Sequence, residues 1–390
     1  MRTHHHIYFQ NASQMRELET ESVDLVVTSP PYPMIQMWDE LFANQNPAIK
    51  VALDKNQGQA AFELMHQELD QVWEEVGRVL KPGGLACVNI GDATRTIEGN
   101  FALYLSHVRI ADYFLKHGFW ALPEILWRKQ TNAPNKFMGS GMLPPGAYVT
   151  LEHEFILIFR KGRKRELQTV AAKKNRHESA FFWEERNVWF SDVWMDLKGT
   201  TQNLFDEKVR RRSAAFPFEV AYRLINMFSV KGDVVLDPFS GLGTMLLAAM
   251  TAGRNSVSYE LDANFKALIE SQVAVLVPFA RARIEERLSN HLEFVKQKLE
   301  NNVELKYKNR YYQFPVMTSQ EQLLLLNSPL AVQAVGENVF EVEYSDSPQE
   351  KFCMKPGVEN LKSELRDGLK RSSIKGAKTE GGQLSLLNSN

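Results

Sequence analysis

Short apolar runs bounded by turn residues alternate along the chain with longer stretches whose apolar positions recur every three to four residues. The runs fall at 7–9, 23–27, 85–90, 122–127, 155–159, 234–236 and 257–259, each of strand length. Residues 60–80 place Phe62, Leu64, Met65, Leu69, Val72, Trp73, Val76, Val79 and Leu80 near a helical period, and Lys81-Pro82-Gly83-Gly84 comes next as a stop signal. Residues 101–116 and 216–228 carry the same period. Strands alternating with helices of this length predict an α/β fold with a mostly parallel sheet.

The rhythm breaks at 162–212, a basic and aromatic stretch (Phe181, Phe182, Trp183, Trp189, Phe190, Trp194) without a clear period, read as an inserted recognition region. Alternation returns at 304–312 and 339–344, and from 346 the composition turns polar, with 372–390 reading as disordered. The expected organisation is therefore 1–161, an insertion at 162–212, a second half at 213–300, a small β-rich extension at 301–345 and a polar tail at 346–390.

Composition changes this picture little. With 390 residues, 44% hydrophobic and 24% charged, the chain is of ordinary globular type and long enough for a large core. No apolar run approaches the length of a membrane span, which predicts no membrane association. The start, MRTHHHIYFQ, lacks the apolar centre of a secretion signal, and His4 to His6 read as the approach to a strand. Cys87 and Cys353 are the only cysteines, too few for a disulfide framework or a cysteine zinc site. A reducing, cytoplasmic, prokaryotic-type setting is expected.

Charge adds more. The net value is −1, yet Arg160, Lys161, Arg163, Lys164, Arg165, Lys173, Lys174 and Arg176 face only Glu166 within their stretch, and Lys208, Arg210, Arg211 and Arg212 come after them. Such clusters read either as one polyanion-facing surface or as a solvated charged loop.

The stretch Val234-Val235-Leu236-Asp237-Pro238-Phe239-Ser240-Gly241-Leu242-Gly243-Thr244 reads as strand, turn and helix start, with the next strand finishing at Glu260. Glycines at 241 and 243 let a ligand approach the backbone. Glu260, 23 residues after Asp237, can accept both hydroxyls of a ribose. A dinucleotide site wants a third glycine at 246, where Leu246 stands. An acid followed by Phe-x-Gly-x-Gly suits S-adenosylmethionine, in which no phosphate has to be cradled; an empty glycine turn is the plainer alternative.

Thr28-Ser29-Pro30-Pro31-Tyr32 directly succeeds the apolar run 23–27. Two prolines stop the strand and stiffen the loop after it. An exocyclic amino group on a base is a poor nucleophile because its lone pair is delocalised into the ring. The Ser29 oxygen and the Pro30 carbonyl are two acceptors for its hydrogens, Tyr32 offers a flat face to an extruded base, and Pro31 fixes the spacing. Serine is a weaker acceptor than aspartate.

Together, T-S-P-P-Y and D-P-F-S-G-L-G-T resemble the amino-group DNA methyltransferases, in the permuted group whose catalytic motif precedes the cofactor motif. The resemblance runs from about residue 7 to residue 285 and includes Val79-Leu80-Lys81-Pro82-Gly83-Gly84, Gly118-Phe119, Ile125-Leu126-Trp127-Arg128-Lys129 and Glu152-His153-Glu154. Asn11-Ala12 stands where the family usually carries an acid near the cofactor adenine, and Phe216-Pro217 opens the helix placed against its methionine end.

The resemblance implies a circularly permuted, Rossmann-like methyltransferase fold of α/β class, a mixed seven-stranded sheet with helices on both faces. It implies S-adenosylmethionine as cofactor, no metal, and double-stranded DNA as substrate. Catalytic roles fall to Ser29, Pro30, Pro31 and Tyr32. Cofactor contacts fall to Asn11, Ala12, Phe216, Pro217, Asp237, Phe239, Ser240, Gly241, Gly243, Thr244, Glu260 and Leu261. DNA contacts fall to Arg160, Lys161, Arg163, Lys164, Arg165, Lys173, Lys174, Arg176, Arg210, Arg211 and Arg212.

A serine first residue is typical of cytosine-N4 enzymes and aspartate of adenine-N6 enzymes, so cytosine N4 is favoured, by base flipping and direct in-line transfer. Adenine N6, an amino group on RNA or protein, and a non-catalytic DNA- and cofactor-binding module are the alternatives. Cytosine C5 chemistry needs a loop cysteine, whereas Cys87 falls inside the 85–90 strand. A separately encoded restriction endonuclease is the expected companion, with the chain a monomer or homodimer. Asp92 reads as bordering the cofactor or capping a helix, and His153 as structural. The tryptophans at 183, 189 and 194 read as DNA wedges or aromatic core, and the loop 130–147 as one that closes over DNA.

Overall fold

In the computed structural model, which describes residues 1–129, 138–198 and 216–354, ten strands form one sheet. In chain order they are β1 (Arg2–Tyr8), β2 (Val23–Thr28), β3 (Leu80–Ile90), β4 (Phe119–Arg128), β5 (His153–Lys161), β6 (Val193–Trp194), β7 (Val234–Asp237), β8 (Asn255–Tyr259), β9 (Pro329–Gly336) and β10 (Val339–Tyr344). Across the sheet they lie β6-β4-β5-β3-β2-β7-β8-β1-β10-β9. The seven from β4 to β1 make the expected mixed sheet, in which only β5 runs antiparallel to its neighbours. Strand β6 adds a short parallel partner beyond β4, and the β9–β10 hairpin extends the other edge antiparallel to β1.

Period-two alternation sorts side chains to two covered faces. Val26, Ala86, Val88, Leu157, Phe159 and Leu236 pack with the helices α1 (Gly58–Val79) and α2 (Ser106–Lys116). Leu25, Val27, Cys87, Ile156, Ile158 and Val235 pack with α3 (Phe218–Phe228) and α4 (Thr244–Ala252). Burial on both sides is why these strands read as nearly continuous apolar runs. Cys87 is one such core residue, and burial pushes its thiol far above the ordinary range. Further along, α5 (Leu276–Glu300) carries Ile284, Leu288, Leu292 and Val295 against Phe182, Tyr312, Phe314 and Leu324. Among the described residues no helix is long and apolar enough to cross a membrane.

Strands β2 and β7 are neighbours although four strands of the sheet, β3 to β6, lie between them in sequence. The chain works outward from β2 through β3 and outward from β7 through β8, so the strand order reverses there. The crevice beyond the carboxyl ends of strands at such a reversal is the usual ligand site of open α/β sheets.

Several expectations are corrected. Residues 101–116 do not form one helix: Ala93–Ile97 and Asn100–Tyr104 pair as a hairpin before α2 begins. Its two-residue turn, Glu98 and Gly99, has φ of 50° and 76°, which matches the twist of the flanking strands. The Lys81-Pro82-Gly83-Gly84 stop already belongs to β3, since α1 ends at Val79. Gly83 has φ of 82°, and a Cβ there would lie 2.6 Å from the Arg165 backbone nitrogen. Within 304–312 only Tyr307–Lys308 is strand, paired with Pro315–Val316. The insertion at 162–212 holds the helices Val170–Glu178 and Trp183–Trp189 before β6. Of the stretch expected as tail, Phe352 is buried beside Tyr312, and 355–390 lies outside the described residues.

Candidate active site

The two sequence motifs meet at the strand reversal. Thr28 Oγ1 at the end of β2 donates to Asp237 Oδ1 at the end of β7, at 2.6 Å, with both residues buried. The Phe239 N–H donates to the same oxygen at 3.0 Å. These bonds tie the proline loop to the glycine turn and consume one carboxylate oxygen. Burial, with a smaller contribution from Glu260, pushes the Asp237 carboxyl up to about 7 against the pull of those two donors.

In the turn, Gly241 and Gly243 have φ of 53° and 80°, in the left-handed region that favours glycine. The Gly241 N–H donates to Glu260 Oε2 at 2.7 Å, and the Asp262 N–H to Oε1 at 2.8 Å. Each Glu260 oxygen therefore has one donor and spare acceptor capacity. Burial pushes this carboxyl up to about 7, with the charge of Asp262 adding to the shift. Ser240 Oγ is buried without a partner among the described residues.

A cavity of about 590 Å³ spans both motifs. Its wall brings together Asn11, Ala12, Ser29, Pro30, Pro31, Phe216, Asp237, Phe239, Ser240, Gly241, Thr244, Glu260 and Leu261. Tyr32, Pro217 and Gly243 stand outside that wall: Pro217 caps α3, Gly243 caps α4, and Tyr32 lies behind Ser29. The wall also takes Trp38 and Phe42 from the segment after the proline loop, and Leu69 and Val72 from α1. Leu69 and Val72 lie on the apolar stripe of their helix, where nothing in sequence separates a cavity wall from core.

Behind Ser29, the Tyr32 hydroxyl lies 3.2 Å from Ser29 Oγ and donates to Glu154 Oε2 at 3.0 Å. Asn89 Nδ2 donates to the Tyr32 oxygen at 2.9 Å and to Glu154 Oε2 at 2.8 Å, and Lys129 Nζ meets Glu154 Oε1 at 2.5 Å. Burial, reinforced by the Glu154 charge, raises the Tyr32 phenol well above its ordinary value. Gly91 keeps room for the ring, because a Cβ there would lie 2.9 Å from Tyr32 Cε2. Asn89 could have been singled out in sequence as the polar residue inside the apolar run 85–90.

The basic run is not brought to this end of the sheet. Strand β5 is antiparallel to β3, with Phe155 beside Ile90 and Arg160 beside Leu85, so residues 160–165 emerge at the edge opposite the cavity. There Arg165 pairs with Asp233 at 2.7 Å and with Asp24 at 3.3 Å, and Lys161 donates to the Leu80 carbonyl at 2.7 Å. Arg160 donates to the Gly162 carbonyl, whereas Arg163, Lys164, Lys173, Lys174 and Arg176 are exposed or half-buried at the surface. Asn175, on the same helix as Lys173, donates to the Lys231 carbonyl, which precedes β7 on that far edge. Arg210, Arg211 and Arg212 lie outside the described residues.

Trp189 and Trp194 are buried core, and Trp183 packs on Phe294, which favours the core reading of all three. Asp92 accepts the His107 backbone N–H at 3.1 Å, in the first turn of α2, and is not part of the cavity wall. His153 is exposed with its ring edge-on to Phe155. Of the loop 130–147, residues 130–137 lie outside the described residues, and the rest closes a small hairpin through Met138–Gly139 and Ala147–Tyr148.

Residues 23–271 match the N6/N4 family of DNA methylases. The chain is 52% identical over 347 residues to the Type II methyltransferase M.MthZI of Methanothermobacter thermautotrophicus, a match covering 89% of this chain and 96% of that protein. It is 50% identical over 284 residues to the Type II methyltransferase M.MjaI of Methanocaldococcus jannaschii, covering 70% and 92%. Among solved structures, TTHA0409 of Thermus thermophilus complexed with S-adenosyl-L-methionine aligns with a TM-score of 0.55 and 31% identity, over 70% of this chain and 95% of that one.

Proposed function

Because the chain belongs to the N6/N4 family of DNA methylases, we propose that it transfers a methyl group from S-adenosylmethionine to the N4 amino group of a flipped cytosine in duplex DNA. The observation that carries this reading is the Thr28–Asp237 bond, which makes one cavity of an acceptor loop and a ribose-type acid.

The residues present fit the cofactor. Glu260 keeps acceptor capacity on both oxygens, Ser240 Oγ is a buried hydroxyl in want of a partner, and Gly241 leaves the wall open where a side chain would stand. Glu260 would hold the ribose hydroxyls, Asn11 and Leu261 would border the adenine, and Phe216 would lie at the methionine end. Bound there, S-adenosylmethionine supplies an electrophilic methyl group on a sulfonium.

Ser29 Oγ and the Pro30 carbonyl accept the two amino hydrogens, localising the lone pair on nitrogen, while Tyr32, behind Ser29 and outside the cavity wall, supports that oxygen. Rigid positioning then supplies most of the rate. The serine at the head of the loop supports cytosine N4, with adenine N6 as the second reading. The Type II names of the relatives support a separately encoded restriction endonuclease as companion.

The DNA must reach the carboxyl end of the sheet. Two hairpins project there, 93–104 after β3 and 138–148 before β5, and they meet where Phe101 stacks on Tyr148 at 4.7 Å. Met142 and Leu143, on the second, are 81% and 71% exposed. We assign base and backbone contacts to this surface in preference to residues 160–165.

The test is incubation of the purified chain with unmethylated duplex DNA and labelled cofactor, followed by nucleoside analysis. N4-methylcytosine is the expected product. N6-methyladenine alone would overturn the base, and label only in RNA or protein would overturn DNA as substrate.

A further inference from the structure

A serine stands where a stronger acceptor would serve an amino group better, and the structure shows what stands behind it. The direction of each hydrogen bond in the cluster is set by one fact: an ionised carboxylate accepts and cannot donate. Tyr32 has a single hydroxyl hydrogen and gives it to Glu154 Oε2 at 3.0 Å. Its oxygen is then an acceptor, filled by Asn89 Nδ2 at 2.9 Å and by Ser29 at 3.2 Å. The Ser29 hydrogen is therefore turned toward Tyr32, away from any substrate. Both Ser29 lone pairs remain for other donors, apart from a marginal approach by Asn89 Nδ2 at 3.5 Å.

We propose that Glu154, acting through the Tyr32 hydroxyl, fixes Ser29 as a pure acceptor and lends it carboxylate character toward the substrate amino group. Chains of hydrogen bonds polarise one another in a low-dielectric interior, so the Glu154 charge makes the Tyr32 oxygen, and through it the Ser29 oxygen, more negative. Glu154 is 9% exposed and Asn89 2% exposed, which keeps water from short-circuiting the chain. Lys129 on the other carboxylate oxygen and the donation from Asn89 to Oε2 hold Glu154 in place. Glu154 touches no substrate atom and is a positioning residue. An aspartate at position 29 would carry its own charge, whereas serine borrows one.

The inference rests on amino-group methylation at Ser29. It is tested on the full-length chain with unmethylated genomic DNA and labelled S-adenosylmethionine under single-turnover conditions, comparing wild type with Glu154→Gln, Tyr32→Phe, and Glu154→Gln combined with Ser29→Asp. Glu154→Gln keeps the size and one acceptor oxygen but removes the charge. Tyr32→Phe keeps the ring but cuts the chain.

Each single variant should lower the methyl-transfer rate by about 10- to 100-fold with cofactor affinity unchanged. Ser29→Asp should restore part of the loss in the Glu154→Gln background, because it moves the charge to the head of the chain. A purely structural Glu154 predicts no such rescue. Wild-type rates in Glu154→Gln or Tyr32→Phe, or a double variant no faster than Glu154→Gln, would overturn the proposal. Absence of methylation by wild type itself would instead overturn the reading on which the proposal rests.

Discussion

Replacing Glu260 with glutamine probes how the glycine turn holds its ligand. The carboxyl is pushed up to about 7 from an ordinary 4.5, mainly by burial, with Asp262 and the neighbouring Asp237 as the nearby acids. In the proposed site ribose hydroxyls would donate to it, so the ionised form is the one that binds, and affinity is expected to rise with pH through about 7. At pH 6 about nine-tenths of the free protein holds the proton and at pH 8 about one-tenth, so the apparent affinity for S-adenosylmethionine should fall about tenfold from pH 8 to pH 6. The same shift sets the sign for folding. The folded state binds this proton more tightly than the unfolded chain, so the free protein is favoured at low pH and loses that contribution between about 4.5 and about 7.

Glu260→Gln cannot titrate. It should bind about 10- to 100-fold more weakly at pH 8, having lost a charged acceptor for two hydroxyls, and its affinity should be nearly flat with pH. Calorimetric titration at several pH values, in buffers of different ionisation enthalpy, reads both the affinity and the proton released on binding. Asp237→Asn separates the second acid, whose carboxyl is also pushed up to about 7. A Glu260→Gln variant that keeps the wild-type pH slope would refute the assignment.

Gly91→Ala places a Cβ 2.9 Å from Tyr32 Cε2 and 3.4 Å from Glu154 Cγ, so turnover should fall at least about tenfold while calorimetric cofactor affinity is unchanged. Thr28→Val removes the 2.6 Å bond to Asp237 at nearly constant volume and should cost about 1–3 kcal/mol in urea denaturation. Arg165→Met removes the ion pair with Asp233, while Asp24 keeps Lys81 at 2.8 Å, and should cost about 1–2 kcal/mol, the pair being part-exposed. The salt dependence of its DNA affinity should match wild type, because Arg165 lies at the far edge of the sheet.

What was legible in sequence was local. The glycine turn, its acid one strand later and the proline stop after β2 each declare themselves within a few residues, and their meeting is a consequence of the parallel order of β2, β7 and β8. The cluster behind Ser29 was not legible as a cluster. Asn89, Lys129 and Glu154 come from three separate stretches of chain, and only the antiparallel insertion of β5 between β3 and β4 brings them into one cluster, with Asn89 and Lys129 both on the Glu154 carboxylate. The same antiparallel turn misleads a reading of the basic run, because charge along a sequence does not say at which end of a strand it emerges. The turn at Glu98-Gly99 was a readable hairpin signal, hidden by the helical period of α2 just beyond it.

Central to this mechanism is that Ser29, held against the glycine turn, presents an amino group to the methyl donor. Expressing wild type and Ser29→Ala in a host free of amino-methylated bases, then mapping modified positions across its genome, tests it most directly. N4-methylcytosine at one short recurring sequence is expected with wild type and none with Ser29→Ala. The same modified positions in both, or none in either, would contradict it.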